Sequence, residues 1–219
     1  MKYLFLALFV FFSVVHLIDC FCDNGKSPKT KPFLVPLILC WYLFSVQAPS
    51  WLLIAALVTS WLGDVLLMPS GTKFFLSGGI AFAVSHVFFI LVYSGNVDFA
   101  AVKPLIVIPA ALVYAALIAW TFYMLSRYLD PFMKFGMPFY LLINAAMNLF
   151  ALMQLISRPC LGSAIAYVGA ILFLISDVVL FLSRYHENKN LVPKRHFVIM
   201  FTYILAEFLI TQGILLLGN

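Results

Sequence analysis

Two aspartates stand inside otherwise apolar runs, Asp64 in the stretch LGDVLL and Asp177 in ISDVVL. A carboxylate in a membrane-spanning helix costs about 2.5–3.5 kcal/mol on insertion scales, so each marks a functional site by default. Other polar side chains keep helical spacing. Tyr140, Asn144 and Asn148 fall at i, i+4 and i+8, and Tyr203, Glu207 and Thr211 repeat the pattern; either trio lies along one side of a helix. His86 sits near the middle of a further apolar run. A carboxyl group in low-dielectric surroundings can keep its proton at neutral pH and act as a general acid, while a second carboxylate stabilises a developing cation or takes a proton from water. Plainer roles compete with this chemistry: interhelical hydrogen bonding for the asparagines, a satisfied core position for His86, an interfacial anchor for Tyr140. Two acids at one depth are the hardest to explain by structure alone.

The elements that must carry these residues follow from composition. Of 219 residues, 65% are hydrophobic and 10% charged, and the mean hydropathy is +1.09, against about 45–50% and about 25% in ordinary soluble domains. The chain reads as a multi-pass integral membrane protein with a single transmembrane domain over 1–219. At about 20 residues per crossing there is room for eight spans and for no sizeable soluble domain. Polar breaks at 23–31, 47–50, 69–73, 95–103, 126–136, 157–162 and 184–196 delimit apolar segments near 3–22, 32–47, 50–68, 74–94, 104–125, 137–156, 163–183 and 197–217. No β-barrel alternation is present, so the expected fold is all-α, eight transmembrane helices in one bundle. The first segment is too long for a signal core and no small-residue cleavage site follows it, so it is expected to be a span. Cys20, Cys22, Cys40 and Cys160 have no metal-binding spacing and read as small apolar residues.

The net charge of +5 lies in short loops and therefore reports orientation, not nucleic-acid binding. Lys26, Lys29, Lys31, Lys73, Arg127, Lys134, Arg184, Lys189, Lys194 and Arg195 fall on one face, and Lys2, Lys103 and Arg158 on the other. The first face is expected to be cytoplasmic, with both termini on the opposite side. The third and seventh spans run toward it, which sets Asp64 and Asp177 about 6–9 Å inside at about 1.5 Å per residue. Five spans thus direct polar groups at one cytoplasm-facing cavity. KPFLVPLI at 31–38 and MPFYLLIN at 137–144 echo one another, as do LGDVLL and ISDVVL, each pair four spans apart; a parallel four-plus-four repeat would produce both echoes.

The sequence resembles the lysoplasmalogenase family of membrane proteins, also called YhhN-like. The likeness is carried by Lys31–Pro32, by GDVLL from Gly63 to Leu67, and by F..GG..F...H from Phe75 to His86. GA.LF..SD from Gly169 to Asp177 and TY..A from Thr202 to Ala206 complete it. The elements come in order, one per expected span. The resemblance implies an eight-helix membrane enzyme that hydrolyses the vinyl-ether bond of lysoplasmalogens to a fatty aldehyde and glycerophosphoethanolamine or glycerophosphocholine, with no cofactor. It places Asp64 and Asp177 at the two acidic positions that carry the chemistry. Two departures stand out: Glu207 where similar members usually have glutamine, and Phe89 where a tyrosine commonly follows the histidine.

Vinyl-ether cleavage begins by protonating a carbon and passes through an oxocarbenium ion, as glycoside cleavage by two carboxylates does. On this reading Asp64 and Asp177 are acid and base in unassigned order. His86, Tyr140, Asn144 and Tyr203 hold water and the glycerol oxygens, and Glu207 tunes the proton count. Lys73, Arg184, Lys194 and Arg195 receive the lipid phosphate. The partners expected are the lysolipid and the bilayer, with homo-oligomerisation left open, in the endoplasmic reticulum of a eukaryote or the inner membrane of a bacterium. Two alternatives use the same residues. One is a proton-coupled transporter or lipid scramblase. The other is a metal-dependent lipid hydrolase with Asp64, His86 and Asp177 as zinc ligands.

Overall fold

The computed structural model describes residues 1–22 and 29–218. Most of the first polar break and Lys26 lie outside the described residues. Within them the chain is all helical and has no strand: α1 (Lys2–Cys22), α2 (Lys31–Leu43), α3 (Trp51–Leu66), α4 (Thr72–Ser94), α5 (Pro104–Leu125), α6 (Met133–Ser157), α7 (Leu161–Tyr185) and α8 (Arg195–Leu217). Six of these are long and apolar enough to cross a membrane. The other two, α2 and α3, have 13 and 16 residues. At about 1.5 Å per residue they reach roughly 20 and 24 Å, short of a hydrocarbon core of about 30 Å. Helix length therefore supports six crossings, where eight spans were expected.

The helix ends have local causes. Helix α2 stops four residues before the expected 47, where the Phe44 N–H bonds the Cys40 carbonyl and Ser45 Oγ bonds the Trp41 carbonyl. Helix α6 starts four residues before the expected 137. There the Asp130 carboxylate accepts the Met133 N–H at 3.0 Å and its carbonyl accepts the Lys134 N–H at 3.0 Å. An aspartate followed by Pro131 is a helix start that hydropathy does not register.

The closest packing is between α3 and α4 and between α7 and α8. Small residues permit it, as in membrane bundles generally. A Cβ on Gly213 would stand 2.5 Å from the Gly162 carbonyl oxygen and 2.6 Å from the Ala166 nitrogen, so the α7 and α8 backbones touch directly. Gly63 on α3 lies equally tight against the Phe82 ring of α4. One apolar core joins α1–α4 and α8 with Met147 and Ala151 of α6 and the first half of α7, and a second joins α5, α6 and the second half of α7 with Phe75 of α4. Phe173 on α7 is buried where these bodies meet, against the rings of Phe82, His86 and Tyr203. Helix α5 packs mainly on α6 and leaves most of its surface outward.

Candidate active site

The site forms where α2, α4, α6 and α8 begin and α3 and α7 end. A cavity of about 490 Å³ opens there, lined by both Asp64 and Asp177 together with Lys31, Tyr203, Ser176, Ser183, Arg184, Lys189, Arg195 and His196. The two acids, on helices four apart in the chain, share one space.

Asp64 lies near the C-terminal end of α3 and is 1% exposed. The Tyr203 hydroxyl donates to its Oδ2 at 2.7 Å, and Lys31 Nζ stands 3.1 Å from its Oδ1. Lys31 is the first residue of α2, ahead of Pro32, whose fixed φ suits a first turn. The Trp61 indole N–H donates to the Pro32 carbonyl at 3.0 Å. One turn before Asp64, this bond pins the start of α2 to α3 and holds the ammonium over the carboxylate. A buried charge persists when it is paired and hydrogen-bonded, and Asp64 has both.

Asp177 has different company. Its Oδ2 accepts the Tyr140 hydroxyl at 2.7 Å and the Asn144 amide at 2.7 Å. The Asn148 amide donates to Asn144 Oδ1 at 3.0 Å, which turns the Asn144 NH2 toward the acid. The trio spaced i, i+4, i+8 thus works as a chain ending on Asp177. On the other side is His86, fully buried. Its Nδ1 lies 2.6 Å from the Phe82 carbonyl, an acceptor, so Nδ1 carries a hydrogen. In a neutral ring Nε2 then presents a lone pair, and this atom faces Asp177 Oδ2 at 3.7 Å. A lone pair and a carboxylate oxygen repel unless a proton lies on one of them. The described residues place no ammonium or guanidinium within ion-pair distance of Asp177.

Glu207 lies one turn past Tyr203, deeper in the bundle and fully buried. The Ser60 and Tyr203 hydroxyls stand beside it, but their hydrogens are committed elsewhere. Ser85 Oγ donates to the Ala56 carbonyl at 2.9 Å, so Ser60 must donate to Ser85 at 2.7 Å, and Tyr203 donates to Asp64. Both Glu207 oxygens are left without a hydrogen-bond partner among the described residues.

The structure brings Asp64, Asp177, His86, Tyr140, Asn144 and Tyr203 to this one end of the bundle and sets Glu207 beneath it. Of the four basic residues expected to meet a phosphate, Arg184 and Arg195 line the cavity. The Arg184 guanidinium lies 3.9 Å over the Phe75 ring, and Arg195 Nη1 donates to the Lys189 carbonyl at 2.7 Å. Lys73 and Lys194 stand outside the lining: Lys73 is exposed at the start of α4, and Lys194 Nζ donates to the Phe21 carbonyl at 2.9 Å. Among the basic lining residues, three were not anticipated as site residues, namely Lys31, Lys189 and His196. A signal for Lys31 existed in the Lys31–Pro32 pair. Nothing in one dimension distinguishes Lys189 and His196 from their loop neighbours. Among the described residues no three His, Cys, Asp or Glu side chains gather as a metal-binding group, so the set Asp64, His86 and Asp177 is not assembled around a common point.

Four helices on, the arrangement returns. Asp64 on α3 has its partners on α2 and α8, and Asp177 on α7 has its donors on α6 and faces an imidazole of α4. Compared with known proteins, residues 27–214, most of the chain, match the YhhN family. No curated protein and no solved structure matches.

Proposed function

The chain belongs to the YhhN family, the family of lysoplasmalogenases, which is associated with hydrolase activity; from that membership and the geometry of the cavity we propose that it hydrolyses the vinyl-ether bond of lysoplasmalogens. The observation that carries the reading is the unlike company of the two acids. Asp64 is matched by a cation and a directed hydrogen bond. Asp177, on the same cavity, has neutral donors and faces the His86 lone pair at 3.7 Å, an arrangement that favours a proton on one of the two.

The reaction then divides between them. The proton held by Asp177 and His86 passes to the vinyl carbon β to the ether oxygen, the π electrons form the new C–H bond, and the adjacent carbon becomes an oxocarbenium ion. Asp64, a fixed carboxylate, stabilises that cation through space and orients the attacking water. The water's proton returns to Asp177, leaving a hemiacetal that collapses to a fatty aldehyde and the free glycerol hydroxyl. Tyr140 and Asn144 hold the Asp177 oxygen in place, and Tyr203 does so for Asp64. Arg184, Lys189, Arg195 and His196 form the basic rim that suits a lipid phosphate. Because this rim lies at the lysine- and arginine-rich end, the positive-inside rule assigns the cavity to the cytoplasmic face. All eight helices then cross or enter the bilayer, both termini lie on the opposite side, and the matching order of the helices that face Asp64 and Asp177 supports a four-plus-four repeat.

The test is aldehyde release from lysoplasmenylethanolamine by the purified protein with a chelator present. Wild type is expected to be active, and Asp177→Asn to lose at least about a hundredfold in kcat, the scale of general-acid catalysis. In heavy water the aldehyde should carry deuterium on the carbon next to the carbonyl, because the solvent-exchanged acid delivers it. Folded wild type that releases no aldehyde would overturn the reading and favour the proton-coupled transporter.

A further inference from the structure

Beside the polar cavity runs an apolar groove of about 440 Å³ between α4, α6 and the end of α7. This is within the range of about 300–1,000 Å³ for ligand pockets. The two spaces share walls: Leu67, Phe75, Phe82 and Leu180 line both. Tyr140 joins them chemically, since its side chain lines the groove while its hydroxyl donates to Asp177. The outer lip, formed by Ile80, Val84 and Val87 of α4 with Phe132 and Phe139 near and on α6, is exposed at the side of the bundle and not at its polar end.

The consecutive glycines of α4 do different work here. A Cβ on Gly78 would meet the Leu67 side chain at 2.7 Å and the Gly63 carbonyl oxygen at 3.2 Å, so Gly78 serves the α3–α4 contact. A Cβ on Gly79 would meet nothing within 4 Å. Helix packing does not require glycine at 79, yet the residue lines the groove, so the missing side chain leaves space in the groove itself.

We propose that this groove holds the alkenyl chain of the lysolipid, entering sideways from the bilayer between α4 and α6, and that Gly79 keeps it open to long chains. The proposal rests on the lysolipid reading above. One apolar groove leading into one basic, acid-bearing cavity matches a single-chain amphiphile with an anionic head. A neutral apolar molecule would leave the rim of Arg184 and Arg195 unmatched, and a two-chain lipid would have only this groove beside the cavity. With the chain in the groove and the phosphate at the rim, the vinyl ether falls at the junction, next to Tyr140 and Asp177.

The experiment compares wild type with Gly79→Leu, a substitution that favours helix and finds open space. On short- and long-chain lysoplasmenylethanolamine, the long-to-short ratio of kcat/KM is expected to fall about tenfold or more, the scale on which an apolar pocket discriminates a methylene or two by fit. Thermal unfolding in detergent should be no lower than wild type. An unchanged ratio would overturn the proposal. A second readout does not need turnover: a lysophosphatidylethanolamine with a photoreactive group in its chain should label α4 and α6 in wild type and lose that labelling in Gly79→Leu. Labelling of α4 and α6 without aldehyde release from wild type would keep the groove and remove the reaction. Aldehyde release with labelling elsewhere would do the reverse. Equal labelling by a two-chain phosphatidylethanolamine would reduce the groove to ordinary lipid contact and overturn it.

Discussion

Asp64 has an ammonium 3.1 Å away, whereas Asp177 has only neutral donors and an imidazole nitrogen 3.7 Å away. On the proposed reading these identical side chains serve opposite tasks, a stable carboxylate and a carrier of one movable proton. Glu207 is a third case, an acid whose neighbours offer it only acceptor oxygens. A glutamine there, the residue usual in similar members, would donate its NH2 to Ser60 or Tyr203. Glu207→Gln is therefore expected to raise stability by about 1 kcal/mol or more and to leave aldehyde release near the wild-type rate, measured by melting in detergent and by turnover. Loss of turnover with an unchanged melt would instead place Glu207 in the proton chemistry. At this scale most of the site was legible: an acid in an apolar run is conspicuous, and donors at i, i+4, i+8 must face one way. Lys31 was legible only as half of the Lys31–Pro32 pair, and its meeting with Asp64 was not, because nothing along the chain tells that Trp61 pins Pro32 above the acid.

The helices place these groups through a few backbone contacts. Asp177 and Tyr203 lie on α7 and α8, whose spacing is set where Gly213 meets Gly162 and Ala166. Gly213→Ala should force those helices apart, destabilising the protein by about 1–3 kcal/mol and lowering kcat as Tyr203 and Asp177 shift. Gly79→Ala on α4 should be neutral or stabilising by up to about 1 kcal/mol, since it meets no neighbour and removes a helix glycine. Melting of the two variants side by side checks both, and equal effects would refute the packing argument. Six helices of membrane length were visible in hydropathy. The true ends of α2 and α6 were not, because hydropathy averages over windows while helix ends follow single hydrogen bonds such as that from the Met133 N–H to Asp130.

At the scale of the molecule, the cavity opens at the basic end, which the proposed topology sets on the cytoplasmic face. With native cysteines removed, Lys189→Cys should react with a membrane-impermeant maleimide only from the cytosolic side. Cys160 alone, exposed at the start of α7, should react only from the opposite side. Labelling of both from one side would overturn the assigned topology. The sequence by itself determined an all-helical, membrane-type chain, its family, and the polar residues too costly to be incidental, because composition and helical periodicity are properties of the chain alone. Only the tertiary structure decided which cation meets which acid, that Asp177 answers to His86 and Asp64 to Lys31, and that an apolar groove adjoins the cavity. Those facts depend on contacts between α2 and α3, α4 and α7, and α3 and α8. Such contacts are fixed by close packing at particular glycines and rings, which no spacing along one strand of sequence expresses.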